Sequence, residues 1–275
     1  MTAAALDDGS GMPGTLATVP YDMLRIPRCL TNVCPVNTKR AIRERIWTLL
    51  QEEKAARFPG AAGRIPNFIG AEACARVLSN TAIWKKAKVL KANPDSPQRA
   101  IRQKALEEGK IVYMAVPRLH SERPFIELNP STLKCSPYAA SSIKGAATYG
   151  CPVTLEELKA IDLVVCGSVA VNRRGARVGK GGGYSDLEFA LLSEAGKTGP
   201  GTPIVTSVHP LQIVKDTLPM TVHDIPLDAI ITPTEIVEVK SPSRRPEGIY
   251  WNMLPPDKIE AIPVLAAKRN AGKTR

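Results

Sequence analysis

Two apolar periods run along the chain. Ile42, Ile46, Leu49 and Leu50 recur at the spacing of one helix face and predict a helix from Lys39 to about Ala56. Thr38 occupies its N-cap position, and Phe58-Pro59-Gly60 ends it. A second helix is expected from Ala71 to Leu78. Continuous apolar runs then predict buried strands at Lys88 to Ala92, Ile111 to Val116, Ile161 to Ala170, Thr202 to Val208, Asp228 to Thr232 and Glu235 to Val239, with a short one at Phe125 to Leu128. Ser96-Pro97 opens a helix that runs to Glu108, with Pro97 at N1 and Gly109 as the C′ residue. Ser136 to Thr148 reads as a helical or irregular connection, Leu155 to Ala160 as a short helix, and Leu187 to Ala195 as a helix.

Strands alternating with capped helices over short connections form βαβ units. Right-handed crossovers then give a parallel sheet as the default topology, in one large α/β domain or two small ones. Residues 1–37 carry Gly, Pro, Thr and Ala without periodicity and are expected to be an irregular extension. Residues 38–240 hold the domain. Residues 241–275 read as a basic, partly disordered tail, with eight basic and three acidic residues from Lys240 onward.

Composition narrows the partners. The 275 residues are 44% hydrophobic and 23% charged, ordinary for a globular protein, while 5% aromatics argue against a base-stacking surface. A net charge of +11 favours anionic partners: nucleotide, polyglutamylated cofactor, nucleic acid or acidic lipid. Cys29, Cys34, Cys74, Cys135, Cys151 and Cys166 show no paired CxxC spacing, which predicts reduced thiols. No apolar run reaches a membrane span, and Asp7 and Asp8 argue against a transit peptide, so cytoplasm is the expected compartment. His120, His209 and His223 lack partners at metal-ligand or triad spacing and are assigned turn and capping roles, with His209 a candidate for lining the cleft.

The candidate chemistry lies between the strand ending at Ala170 and the helix starting near Leu187. Gly179, Gly181, Gly182 and Gly183 flank Lys180, and Arg173, Arg174 and Arg177 precede them. A strand, a cationic loop with little side-chain cover and a helix N-terminus together make a phosphate-holding arrangement. Asp186, in the first helical turn, is a candidate Mg²⁺ ligand. The spacing is neither a Walker A loop, since Gly181 stands where Ser or Thr belongs, nor the dinucleotide fingerprint, since Tyr184 replaces its third glycine. A flexible basic surface hairpin is the competing reading. Lys39 and Arg43 share a side of the first helix, which suits either an anion between them or a solvated basic face.

The segment Gly175-x-Arg177-Val178-Gly179-Lys180-Gly181-Gly182-Gly183-Tyr184-x-Asp186 resembles the nucleotide loop of 5-formyltetrahydrofolate cyclo-ligases, also called methenyltetrahydrofolate synthetases. The stretch His223-Asp224-Ile225-Pro226-Leu227-Asp228-Ala229-Ile230-Ile231-Thr232 is similar to that family's Asp-x-Pro-x-Asp-x-x-x-Thr strand entry, and Lys39-x-x-x-Arg43 to its basic N-terminal helix. Lys91-Ala-Asn-Pro-Asp-Ser-Pro97, Val116-Pro-Arg-Leu119 and Arg245-Pro-Glu-Gly-Ile-Tyr-Trp251 resemble a branch described as methenyltetrahydrofolate-synthetase-domain-containing. Vertebrate members of that branch append an RNA-recognition module, whose aromatic strand motif is not found in this sequence.

The resemblance implies a three-layer α/β/α fold, a single Rossmann-like domain with a mostly parallel sheet, that uses ATP and Mg²⁺. It implies that Lys39, Arg43, Arg177, Lys180, Tyr184 and the backbone of Gly179, Gly181, Gly182 and Gly183 hold ATP, and that Asp186 helps hold Mg²⁺. Lys180, Arg177 and Tyr184 are the residues expected to act in the chemistry. In the family reaction the N5-formyl oxygen takes the γ-phosphoryl group, and N10 then closes the ring to 5,10-methenyltetrahydrofolate. Two departures bear on substrate: Ser185 stands where the family carries a second tyrosine, and Asn93-Pro94-Asp95-Ser96-Pro97-Gln98 replaces a glutamate-containing folate-recognition segment. Three functions therefore stay open: the cyclo-ligase, an ATP-dependent enzyme on another vitamin-related heterocycle, and a non-catalytic nucleotide or RNA binder.

Overall fold

The structure, a computed structural model, describes residues 38–240 and 242–273. The expected extension at residues 1–37, with Cys29 and Cys34, lies outside the described residues. Helix α1 (Lys39–Glu52) begins as expected, with the Ala41 N–H donating to the Thr38 hydroxyl at 3.2 Å. It ends before Ala56. Lys54 turns left-handed at φ 52°, the N–H groups of Ala55 and Ala56 return to the Leu50 carbonyl, and Ala56 bridges to Phe68.

The chain continues through α2 (Ala71–Ser79), α3 (Ala82–Lys86), β1 (Val89–Ala92), α4 (Arg99–Glu107), β2 (Ile111–Ala115), β3 (Phe125–Leu128), α5 (Pro137–Ala140), α6 (Ile143–Tyr149) and β4 (Cys151–Val153). Then follow β5 (Leu163–Cys166), β6 (Ala170–Asn172), β7 (Arg177–Val178), α7 (Tyr184–Glu194), β8 (Ile204–Ser207), β9 (Ile213–Val214), β10 (Ala229–Ile231), β11 (Ile236–Glu238), α8 (Pro256–Glu260) and α9 (Pro263–Lys273). The expected helix at residues 155–160 is a turn. Thr154 and Glu157 bond reciprocally and close it, after which the chain extends toward β5.

The main sheet has the order β11-β10-β8-β5-β1-β2-β3-β4, parallel from β10 to β2 and antiparallel at both edges. Alternate residues feed opposite layers, as a strand's period of two requires. Leu90, Val112, Met114, Leu163 and Val165 pack with Cys74, Leu78, Ile101 and Ala105 of α2 and α4. Val89, Tyr113, Val164 and Cys166 pack with Leu187, Leu191 and Leu192 of α7. This is the three-layer α/β/α arrangement. The apolar run from Ile161 does not stay in one strand: it breaks after β5, and β6 joins β7 and β9 in a small second sheet against α1.

The C-terminal segment differs from the partly disordered tail expected of its basic, proline-containing sequence. Ile259, Ile262 and Leu265, spaced three apart, are buried in the α7 layer, and burying each contributes about 1.5–3 kcal/mol. Arg245 pairs with Asp228 at 2.5 Å and donates to the carbonyls of Pro200 and Thr202. Several of the segment's charges are thus spent on the protein itself. Among the described residues, no helix is long and apolar enough to cross a membrane.

Candidate functional site

Strand order reverses direction between β1, which leads to β2 on one side, and β5, which leads to β8 and β10 on the other. Ligands of open α/β sheets bind beyond the carboxyl ends at such a switch point. Here those ends run into Asn93, Pro94 and Asp95 after β1 and into Gly167 after β5, and all four line a cleft of about 900 Å³. The cleft also gathers the first turn of α1 and the glycine loop. Lys39, Arg43, Arg177, Gly179, Lys180, Gly181, Gly182, Gly183, Tyr184 and Asp186 all line it, whereas Arg173 and Arg174 do not: Arg173 pairs with Glu235 at 3.7 Å and Arg174 donates to the Thr217 hydroxyl at 2.6 Å.

The loop's shape follows from its glycines. Gly181 has φ +112° and Gly183 φ +65°, and a Cβ on Gly181 would lie 3.3 Å from Arg43 Cζ. Arg43 Nε donates to the Gly179 carbonyl at 2.6 Å. In a trans peptide the carbonyl and the following N–H point opposite ways, so this bond turns the Lys180 N–H away from Arg43. Among the described residues, none accepts a hydrogen bond from the backbone N–H of residues 180–183, and Gly183 caps α7 without a side-chain bond. The loop and the first turn of α7 therefore present a run of free donors.

Two ion pairs brace it. Arg177, 3% exposed, pairs with Asp186 and donates to the Gly167 carbonyl at 3.0 Å. Burial opposes the guanidinium charge, but Asp186 outweighs it and raises the Arg177 pKa. Asp186 Oδ1 also accepts the Ile225 N–H at 3.1 Å. Lys39 pairs with Asp224, which accepts from the backbone and hydroxyl of Thr221 as well. Burial opposes ionisation of Asp224, yet the bonds from Lys39 and Thr221 hold its pKa below the ordinary range. Both NH₂ groups of Arg177 are thus engaged within the protein, while Lys180, half exposed, lies 3.5 Å from Asp95.

Among the described residues there is no group of three or more His, Cys, Asp or Glu side chains able to hold a metal. Mg²⁺ takes one or two protein carboxylates and completes its shell with phosphate oxygens and water. Asp186 lines the cleft with both of its hydrogen bonds on Oδ1, so the donor set fits.

The cleft also holds a buried ion pair, and a buried arginine beneath it, that no sequence spacing brings together. Lys91 and Glu188, 1% and 5% exposed, form an ion pair in the cleft floor. Lys91 also donates to Asn93 Oδ1 at 2.7 Å, and Ser185 Oγ lies 3.4 Å from the same oxygen. Since lysine only donates, Asn93 must turn its carbonyl to Lys91 and its NH₂ elsewhere. Burial raises the Glu188 pKa, and Lys91 opposes that shift. The fully buried Arg102 grips the carbonyls of Asn93, Pro94, Asp95 and Ser141, and burial pushes its pKa down to about 9. Arg64, Arg118 and Ile143 complete the wall. Arg118, in the Val116-Pro-Arg-Leu119 stretch, stands left-handed at φ 56°. His209 does not line the cleft; it caps a turn, accepting the Leu211 N–H, and burial lowers its pKa.

The sequence profile of the 5-formyltetrahydrofolate cyclo-ligase family matches residues 35–233. The mouse methenyltetrahydrofolate synthase domain-containing protein is 37% identical over 242 residues, which cover 86% of this chain and 64% of the mouse protein. The protein of the same name from cattle is 36% identical over 239 residues, 85% of this chain and 62% of its own length. The chain thus spans less than two thirds of those relatives. The solved 5,10-methenyltetrahydrofolate synthetase of Aquifex aeolicus superposes with a TM-score of 0.47 at 18% identity, covering 78% of this chain and 99% of its own. The chain belongs to the 5-formyltetrahydrofolate cyclo-ligase family.

Proposed function

We propose that the chain is an ATP- and Mg²⁺-dependent ligase that converts 5-formyltetrahydrofolate to 5,10-methenyltetrahydrofolate. The observation that carries this reading is the run of backbone N–H groups at residues 180–183, without acceptors among the described residues, in a loop that leads into α7 and lines the cleft with Lys39 and Arg43. Phosphoryl transfer needs chiefly alignment and neutralised phosphate charge, and donors and cations fixed before binding supply both. ATP would supply the phosphoryl group that activates the formyl oxygen, with phosphate leaving as N10 closes the ring.

The chain's own residues have divisible roles. The N–H groups of residues 180–183, with Arg43 and Lys39, bind the polyphosphate. The Arg177–Asp186 pair fixes the ends of the loop and places Asp186 for Mg²⁺. Tyr184 lies on the ATP side and Ser185 on the side of the heterocycle, and Lys180, half exposed, can exchange Asp95 for a phosphate oxygen.

A second reading keeps the ATP site and changes the heterocycle. It is favoured by Ser185, which meets Asn93 over the Lys91–Glu188 pair where the family carries a tyrosine. Absorbance of the methenyl product in 5-formyltetrahydrofolate, ATP and Mg²⁺ decides. The first reading predicts product, reduced in Asp186→Asn. No product, with ATP still raising the melting temperature, selects the second. Neither product nor a thermal shift removes both.

A further inference from the structure

The family-matched segment ends at residue 233, yet the glycine loop is held from beyond it. Lys258, on α8, donates to the Gly182 carbonyl at 2.8 Å, and its ammonium lies 4.8 Å from the centre of the Tyr184 ring. A Cβ on Gly183 would come within 3.3 Å of Lys258 Nζ. The lysine is not suspended on a loose end. Ile259 and Ile262 bury beside it in the core, while at the far end of α7 Glu194 accepts from the Ile249 N–H at 3.0 Å and pairs with Lys268 at 3.3 Å. The segment therefore grips α7 at both ends.

From this geometry we infer that Lys258 is a positioning residue for the phosphate loop, so that the C-terminal segment forms part of the nucleotide site. The inference rests on the phosphate reading given above only for its ligand. Lys258 borders a small cavity of about 120 Å³ behind the loop and not the main cleft, whereas Gly183 borders both. The peptide that follows Gly182 is trans, so tying its carbonyl to Lys258 directs the Gly183 N–H to the opposite side. Arg43 does the same for the Lys180 N–H from the other flank, through Gly179. Two cations thus set two peptide planes of a loop whose glycines would otherwise let them rotate. The contact with Tyr184 adds a cation–π attraction that fixes the ring at the loop's end.

The test uses Lys258→Met, which keeps the apolar stem and removes the ammonium, and Lys258→Arg, which keeps a cationic donor. Two readouts are taken on the full chain: backbone ¹⁵N order parameters of Gly182 and Gly183, and affinities for ATP and adenosine. Lys258→Met should lower the order parameters from the rigid value of about 0.85 to below about 0.6. It should weaken ATP about tenfold, the worth of one hydrogen bond to a charged group, with adenosine unchanged. Lys258→Arg should recover most of both. Unchanged order parameters in Lys258→Met overturn the inference. So does an ATP loss matched by an equal loss for adenosine, which is what general destabilisation would give. If the unaltered chain binds no ATP, the phosphate reading falls, while the order parameters still decide whether Lys258 holds the loop.

Discussion

Arg177, buried, and Asp186, half-buried at the cleft, form an ion pair that joins the start of the glycine loop to the first turn of α7. Arg177 also reaches the Gly167 carbonyl at the end of β5, so one guanidinium ties loop, helix and sheet together. Removing one partner of a buried pair leaves an uncompensated charge, which costs about 3–5 kcal/mol. Asp186→Asn should therefore lower the melting temperature by on the order of 10 °C, read by thermal unfolding, in addition to any loss of Mg²⁺ dependence. A shift within a degree or two would mean that the pair does not brace the loop.

Gly181→Ala isolates the loop's shape from its charge. At φ +112° an alanine is strained by about 1–3 kcal/mol, and its methyl would press on the Arg43 guanidinium. ATP should bind roughly tenfold or more weakly, measured by calorimetry. Gly199→Ala, in open space with an ordinary φ, should leave binding unchanged.

Asp224 gives the site an acid limit. Its folded-state pKa is lowered, so its pair with Lys39 adds stability that is present above the ordinary aspartate range and is lost as pH falls through it, below about pH 4. Urea unfolding between pH 2 and 6 should show this loss in the unaltered chain and a flatter profile in Asp224→Asn.

The Lys91–Glu188 pair predicts non-additivity. Lys91→Met alone strands Glu188 in the cleft floor and should cost about 3–5 kcal/mol, whereas Lys91→Met with Glu188→Leu should regain most of that. A double-mutant cycle by urea unfolding measures the coupling, and purely additive losses would show the pair to be unimportant.

The cleft was legible where its residues are close in sequence or fixed by local rules. Thr38 caps α1, which puts Lys39 and Arg43 on one side, and the glycines mark their own loop. What stayed hidden comes from long-range pairing. Lys91 meets Glu188 across 97 positions and Lys258 meets Gly182 across 76, and neither distance leaves a periodic trace. In the C-terminal segment, proline and charge at residues 242–258 mask the helical signal that the spacing of Ile259, Ile262 and Leu265 carries. The helix expected at residues 155–160 failed because Leu155 and Leu158 bury equally well from a single turn.

The most direct test of the central claim is calorimetric titration of the chain with ATP, ADP and adenosine in the presence of Mg²⁺. If residues 180–183 cradle a polyphosphate, ATP binds on the order of a hundredfold more tightly than adenosine, reflecting at least two charge-assisted hydrogen bonds. ADP should fall between them, and Arg43→Met should narrow the gap. Equal affinities for ATP and adenosine, or no binding of ATP, would contradict the phosphate cradle and the ligase reading built on it.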